Sequence, residues 1–300
     1  MDEIVTIKGD GLTARIKHLG AELCSLVGPT NEEVLWQAGA QWPRHAPILF
    51  PIVGRLSNDS LHHRGRSYRM TQHGFARDRR FSLEEQSATQ VRFSLEDDAV
   101  TAQVYPFSFK LSVTFRIESG CLFVTYHLAN PGEATLGASI GAHPAFRWPL
   151  KDGIARTAHT IRFARTEAAP LRRLAHGLLD PVARPSPIKG DVLALDPSLF
   201  LDDALIFEQL ESRWVKYSAP GCEPIVVAWS GFNTLGVWAK PEAEFLCIEP
   251  WSGTASPVGF DGAFLDKPGV FRVAPDESRL FSHVIALGET ACRSITDGRG

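Results

Sequence analysis

Apolar and polar residues alternate near the N-terminus, first in Ile4-Val5-Thr6-Ile7-Lys8 and again in Thr13-Ala14-Arg15-Ile16-Lys17, each run ended by a glycine-containing turn. Successive side chains leave opposite sides of an extended backbone, so this period of two predicts strands with one dry and one wet face. The same texture returns in Val91–Leu95, Phe109–Phe115, Leu122–Leu128 and Arg213–Tyr217. Strands are therefore expected from one end of the chain to the other. Long stretches of helical period are absent, and the 20 prolines and 25 glycines are spread as turn punctuation without gathering into a linker. One domain over residues 1–300 is expected. No repeat of fixed period occurs, which sets aside propellers and β-helices and leaves an all-β architecture, a large antiparallel β-sandwich. The segment from Arg165 to Pro187 has weaker periodicity and reads as a long excursion over that sandwich.

Composition narrows the picture. Hydrophobic residues form 44% of the 300 positions and charged residues 22%, enough apolar surface for a sizeable core. A formal net charge of -3, with both signs intermixed, gives no field that would draw nucleic acid or an anionic membrane, so neither partner is expected. The five cysteines, Cys24, Cys121, Cys222, Cys247 and Cys292, are odd in number and lack a C-x-x-C pair. They are expected to be reduced thiols in a cytoplasmic protein. The segment Met1-Asp2-Glu3-Ile4 has no basic-then-apolar leader pattern, and no apolar run reaches the ~18 residues of a membrane span.

Four segments break the strand texture with polar residues beside turn formers, the kind of place where sandwiches build binding sites. They are Phe50-Pro51-Ile52-Val53-Gly54-Arg55-Leu56-Ser57-Asn58, Gln72-His73-Gly74-Phe75-Ala76-Arg77-Asp78, Gly141-Ala142-His143-Pro144-Ala145-Phe146 and Cys247-Ile248-Glu249-Pro250-Trp251-Ser252-Gly253. In the last, Glu249 follows an apolar run, where an unpaired charge is costly to bury. Each residue alone also has a plain reading. Either histidine fits a hydrogen-bonded turn, Arg55 a structural ion pair, Glu249 the partner of a buried arginine, and Arg77, Arg79 and Arg80 a solvated face. His62-His63 reads as an exposed hairpin tip. No protease, hydrolase, phosphate-loop or nucleotide motif is present.

Taken in order, the four segments, with Asp203 in Asp203-Ala204-Leu205-Ile206-Phe207, resemble the aldose 1-epimerase superfamily, and within it the bacterial LacX-like branch. The likeness reaches both ends, through Leu19–Leu26 and Phe260–Leu287. It implies a galactose mutarotase-like supersandwich that interconverts the anomers of a free hexose without cofactor or metal, as a monomer or homodimer. It further implies His143 as general acid, Glu249 as general base, and Arg55, His73 and Asp203 as sugar binders, although Asp202 stands beside the last. Trp36, Trp251 or Phe75 is expected to stack on the sugar ring. A carboxylate near His143 is expected to raise its pKa, with Glu249 held ionised. The segment after Arg55 and the Gly-Phe-Ala-Arg after His73 depart from the galactose-specific pattern, which leaves the sugar open. Arg77, Arg79, Arg80 and Arg147 keep a hexose-6-phosphate 1-epimerase in contention, and a binding protein that has lost the reaction is a third reading. No histidine sits at metal-ligand spacing from a carboxylate or thiol in the sequence, so a metal is not expected.

Overall fold

The computed structural model describes residues 3–298. The N-terminal alternation becomes an antiparallel hairpin, Ile4–Gly9 with Leu12–Lys17, extended by Leu23–Val27 into a three-stranded sheet. A nine-stranded antiparallel sheet forms the larger layer. Its order is Val192–Ala194, Thr160–Phe163, Trp214–Ser218, Ile225–Ser230, Ser278–Leu287, Cys121–Ala129, Lys110–Glu118, Gln90–Glu96 and Ser82–Gln86. Every strand expected from period-two texture is present, displaced by at most a few residues at its ends.

The second layer is a sheet of Leu171–Arg172, Leu205–Glu208, Thr234–Trp238, Phe245–Ser252, Ile140–Ala142 and Ile48–Leu49, with Ala145–Arg147 also paired to Phe245–Ser252. One of its faces packs on the nine-stranded sheet. Phe163 meets Phe207 edge to face with ring centroids 6.2 Å apart, and the Tyr217 hydroxyl donates to the Arg147 carbonyl at 3.0 Å. Leu246 and Ile248 belong to this main core. Phe245, Cys247, Glu249 and Trp251 leave the strand on the other side and are buried as well, under loops rather than a second sheet. A strand buried on both faces shows no alternation, and that is why its first half, Phe245 to Ile248, reads as an unbroken apolar run.

The excursion from 165 to 187 contributes three two-residue strands, Leu171–Arg172, Leu174–Ala175 and Leu178–Leu179. The one α-helix among the described residues, Glu289–Thr296, lays Ala291 and Cys292 against Cys121, Val226 and Ala286. Among the described residues, no helix is long and apolar enough to cross a membrane. All five cysteines are free thiols.

Candidate active site

Strand register brings the two expected catalytic residues together. Gly141 faces Trp251 and Ala145 faces Cys247, so the residue midway, His143, falls opposite Glu249. Directly opposed residues on neighbouring strands hold their Cβ atoms about 5 Å apart, within reach of each other's side chains. The His143 Nε2 lies 3.2 Å from the Glu249 Oε2. Glu249 therefore stands in the middle of its strand, not at the end. Pro250 is tolerated there because its missing N–H points to the side where the neighbouring strand is interrupted, next to the bond that the Ile248 N–H donates to the Pro144 carbonyl at 3.3 Å.

Across the sheet, Glu249 faces Gly236 and Gly236 faces Ile206, which completes a rung of four residues. A Cβ at position 236 would lie 2.5 Å from Cζ2 of Trp251, so glycine leaves the space into which this indole folds. From that position the Trp251 Nε1–H donates to the Glu249 Oε2 at 3.2 Å. His143 is held from the opposite side. Its ring stacks on Trp42 at 5.0 Å and meets Trp238 edge to face at 5.8 Å.

His73 arrives on a turn, with φ of 66°. Its backbone N–H donates to the Gly54 carbonyl at 2.8 Å, and its Nδ1 accepts from the Gly54 N–H at 3.2 Å. That acceptor role leaves the neutral ring's proton on Nε2. Gly74 follows with φ of 71°, and a Cβ there would lie 2.2 Å from the Phe50 carbonyl oxygen, so only glycine lets the two loops dock.

These loops and the rung enclose a cavity of about 270 Å³, small for a ligand site and suited to a monosaccharide rather than a drug-sized molecule. His73, His143, Asp203 and Glu249 all line it. Asp203 is the member of the Asp202–Asp203 pair that does so, while Asp202 is turned to Arg184 at 3.8 Å. The buried Arg173 guanidinium fixes this turn by donating to the carbonyls of Leu199 at 2.8 Å and Asp203 at 2.7 Å. A larger crevice of about 770 Å³, lined by Glu32, Glu33, Glu223, Glu289 and Lys151, contains none of the expected site residues.

Arg55 is not brought to the cavity. It is 45% exposed and forms a two-pronged pair with Asp59 at 2.6 and 2.9 Å, in keeping with its plain reading as a structural ion-pair residue. The arginine that lines the cavity is Arg77, anchored by the bond its Nη2 donates to the Gln72 carbonyl at 2.7 Å. Its Nε is buried without a partner, and burial pushes its pKa down to about 10, which still leaves a cation at neutral pH. Arg79, Arg80 and Arg147 pair with Asp98, Glu3 and Asp152 instead. Among the aromatics, Trp251 lines the cavity as expected, together with Trp42 and Trp238. Trp36 packs behind them against Phe245, and Phe75 lies among Phe50, Tyr105 and Phe109.

Burial dominates the electrostatics of the pair and overturns the expected protonation pattern. Desolvation pushes His143 down to about 3 and lifts Glu249 well above the usual carboxylate range, the Trp251 hydrogen bond opposing the latter and Asp203 adding to it. Burial thus disfavours the charged form of each member, imidazolium and carboxylate alike, and the two titrate as a coupled pair. The fold also gathers potential metal donors that are separated along the chain. His143, Cys247 and Glu249 place one donor atom each within 4.8 Å of one another, a grouping hidden in the sequence because its histidine lies far from the other two.

The sequence model of the aldose 1-epimerase family matches residues 3–269. The plasmid-encoded protein LacX of Lactococcus lactis subsp. lactis is 32% identical over 295 residues, covering 94% of this chain and 99% of the relative. A galactose mutarotase related enzyme from Lactobacillus acidophilus superposes with a TM-score of 0.90 at 30% identity, covering 96% of this chain and 98% of that one. A galactose mutarotase-like protein from Lactobacillus casei ATCC 334 gives a TM-score of 0.89 at 28% identity, covering 95% and 100%. With the match running through every segment that builds the cavity, the chain belongs to the aldose 1-epimerase family.

Proposed function

We propose that the protein is an aldose 1-epimerase acting on a free hexose. The observation that carries this reading is the 3.2 Å contact between His143 and Glu249 on the wall of a monosaccharide-sized cavity. Opening a cyclic hemiacetal requires removal of the C1 hydroxyl proton and delivery of a proton to the ring oxygen. A pair that holds one proton between two basic atoms can do both. Each such group contributes about 10²–10⁴-fold when correctly placed. Proton transfer across the contact gives the imidazolium–carboxylate form in which Glu249 is the base and His143 the acid. The Trp251 N–H favours that form by donating to the carboxylate. After rotation about C1–C2 the same two groups act in reverse and close the ring on the other face.

His73 through Nε2–H, Arg77 and Asp203 are positioned to hold the remaining hydroxyls, and the indoles of Trp42, Trp238 and Trp251 offer apolar faces to the sugar C–H groups. A phosphorylated hexose is the second reading, favoured by Arg77. One arginine in a cavity that also holds Asp203 is a poor cradle for a dianion, so the neutral sugar is preferred. Polarimetry on freshly dissolved α-glucose, α-galactose and their 6-phosphates tests both. Acceleration of the free sugars is expected; acceleration of the phosphates alone reverses the preference, and no acceleration of any leaves a binding protein. Glu249→Gln and His143→Asn should each lower kcat by about 10²–10⁴-fold with an unchanged melt. Near-normal kcat in either variant overturns the acid–base assignment.

A further inference from the structure

Cys247 sits one rung along the sheet from the catalytic pair, between Ala145 and Trp238, and its side chain is on the same face of the strand as Glu249. It is fully buried and has no part in the proton transfers described above. Its sulfur, an imidazole nitrogen of His143 and a Glu249 oxygen converge to within 4.8 Å of one another. His143 and Glu249 line the cavity, and Cys247 lies behind it among Ala145, Phe245, Trp42 and Trp238. In a tetrahedral zinc site, ligand atoms about 2.0–2.3 Å from the ion stand roughly 3.3–3.8 Å apart, so small side-chain adjustments would complete three corners. Nitrogen, sulfur and carboxylate together suit zinc-class ions and discriminate against magnesium and calcium, which take oxygen ligands.

We propose that His143, Cys247 and Glu249 form a binding site for a thiophilic divalent cation of the zinc class, and that occupation of this site switches the enzyme off. The charge count of the occupied site fits such an ion, whose two positive charges would meet one thiolate and one carboxylate and leave the buried site neutral. With His143 and Glu249 on the cavity wall, the fourth ligand would be water or a sugar hydroxyl supplied from that side. The His143 Nδ1 has no hydrogen-bond partner, whereas strongly held metal histidines have one, so the affinity is moderate and the ion removable.

The binding claim stands apart from the epimerase reading, and only the inhibition rests on it. The probe is Cd²⁺ titrated into the metal-free protein, read by the ultraviolet thiolate-to-cadmium charge-transfer band, by cadmium NMR and by proton release. One ion per chain is expected, with a single-thiolate, mixed nitrogen and oxygen signature, proton release on binding, and competition by Zn²⁺ but not Mg²⁺. Cys247→Ser and Cys247→Ala should keep a cooperative melt and weaken binding by more than about tenfold, while Cys222→Ser leaves it unchanged. In the activity assay, Zn²⁺ should abolish turnover, EDTA should restore it, and both Cys247 variants should resist the ion. A charge-transfer band that survives in the folded Cys247 variants, or none in the parent protein, overturns the site. Full occupancy with undiminished turnover overturns the switch. Should no sugar be turned over at all, the epimerase reading fails and the spectroscopic test of the site is untouched.

Discussion

A carboxylate and an imidazole in a dry pocket behave as one titrating unit, and the pH dependence of catalysis should show it. With His143 lowered to about 3 and Glu249 raised by burial, the pair gains its second proton only in strong acid and loses its single one only above the ordinary carboxylate range. The expected kcat profile is flat around neutrality, with its acid limb moved toward 3. A limb near the free-histidine value of about 6.5 would show the pair to be solvated and independent. The two arginines divide in a similarly testable way. Arg77→Ala removes the cavity's cation and should raise KM by about tenfold or more, the scale of a charged hydrogen bond. Arg55→Ala breaks a half-exposed pair with Asp59 and should leave KM nearly unchanged. The reverse result in isothermal titration with sugar would place Arg55 at the ligand after all.

The period-two strands of the nine-stranded sheet are legible in the sequence because one of their faces is polar, and the hairpin tip at His62-His63 is equally plain. Phe245–Ser252 and Thr234–Trp238 are not legible by period, since both faces are buried. His143, His73, Asp203 and Glu249 stand out as polar breaks, and all four reach the cavity. Arg77 carries the same signal, but two further arginines follow at 79 and 80, and a run of cations reads as a wet surface. Trp42 and Trp238 lie outside every motif; Trp238 reaches the site by pairing with Cys247, and Trp42 by packing on Trp238 and His143. The short excursion strands escape notice for want of length, yet they deliver Leu174 to the cavity and Arg173 to the Asp203 turn. Arg173→Met should orphan those carbonyls, lower stability by about 1–3 kcal/mol and raise KM more than it lowers kcat. Loss of kcat with KM unchanged would show that the turn does not set sugar affinity.

At the scale of the whole molecule, burial of uncharged histidines couples folding to acidity. His283, fully enclosed beside Tyr126, is lowered from 6.5 to about 3 by burial alone. Its neutral form is native, so its contribution is intact above pH 6.5 and is lost as pH falls toward 3, because the unfolded chain takes a proton that the folded one refuses. The loss should approach about 1.4 kcal/mol per pH unit from this group alone. Urea unfolding at pH 7 and pH 5 should show the decline, and His283→Gln should flatten it; an unaltered slope in that variant would assign acid sensitivity elsewhere. The Glu249, Gly236 and Ile206 ladder is held by strand pairing, and His143 is fixed between two strands that pair with the Glu249 strand, whereas Asp203, Gln72 and Arg77 come from connecting segments and Leu174 from a two-residue strand of the excursion. On the proposed function, the reacting pair and the groups that hold the sugar thus sit on separate parts of the fold. Exchange of the 72–77 loop or the 171–180 excursion with those of a relative can therefore change which sugar is accepted while the proton-transfer machinery stays as it is.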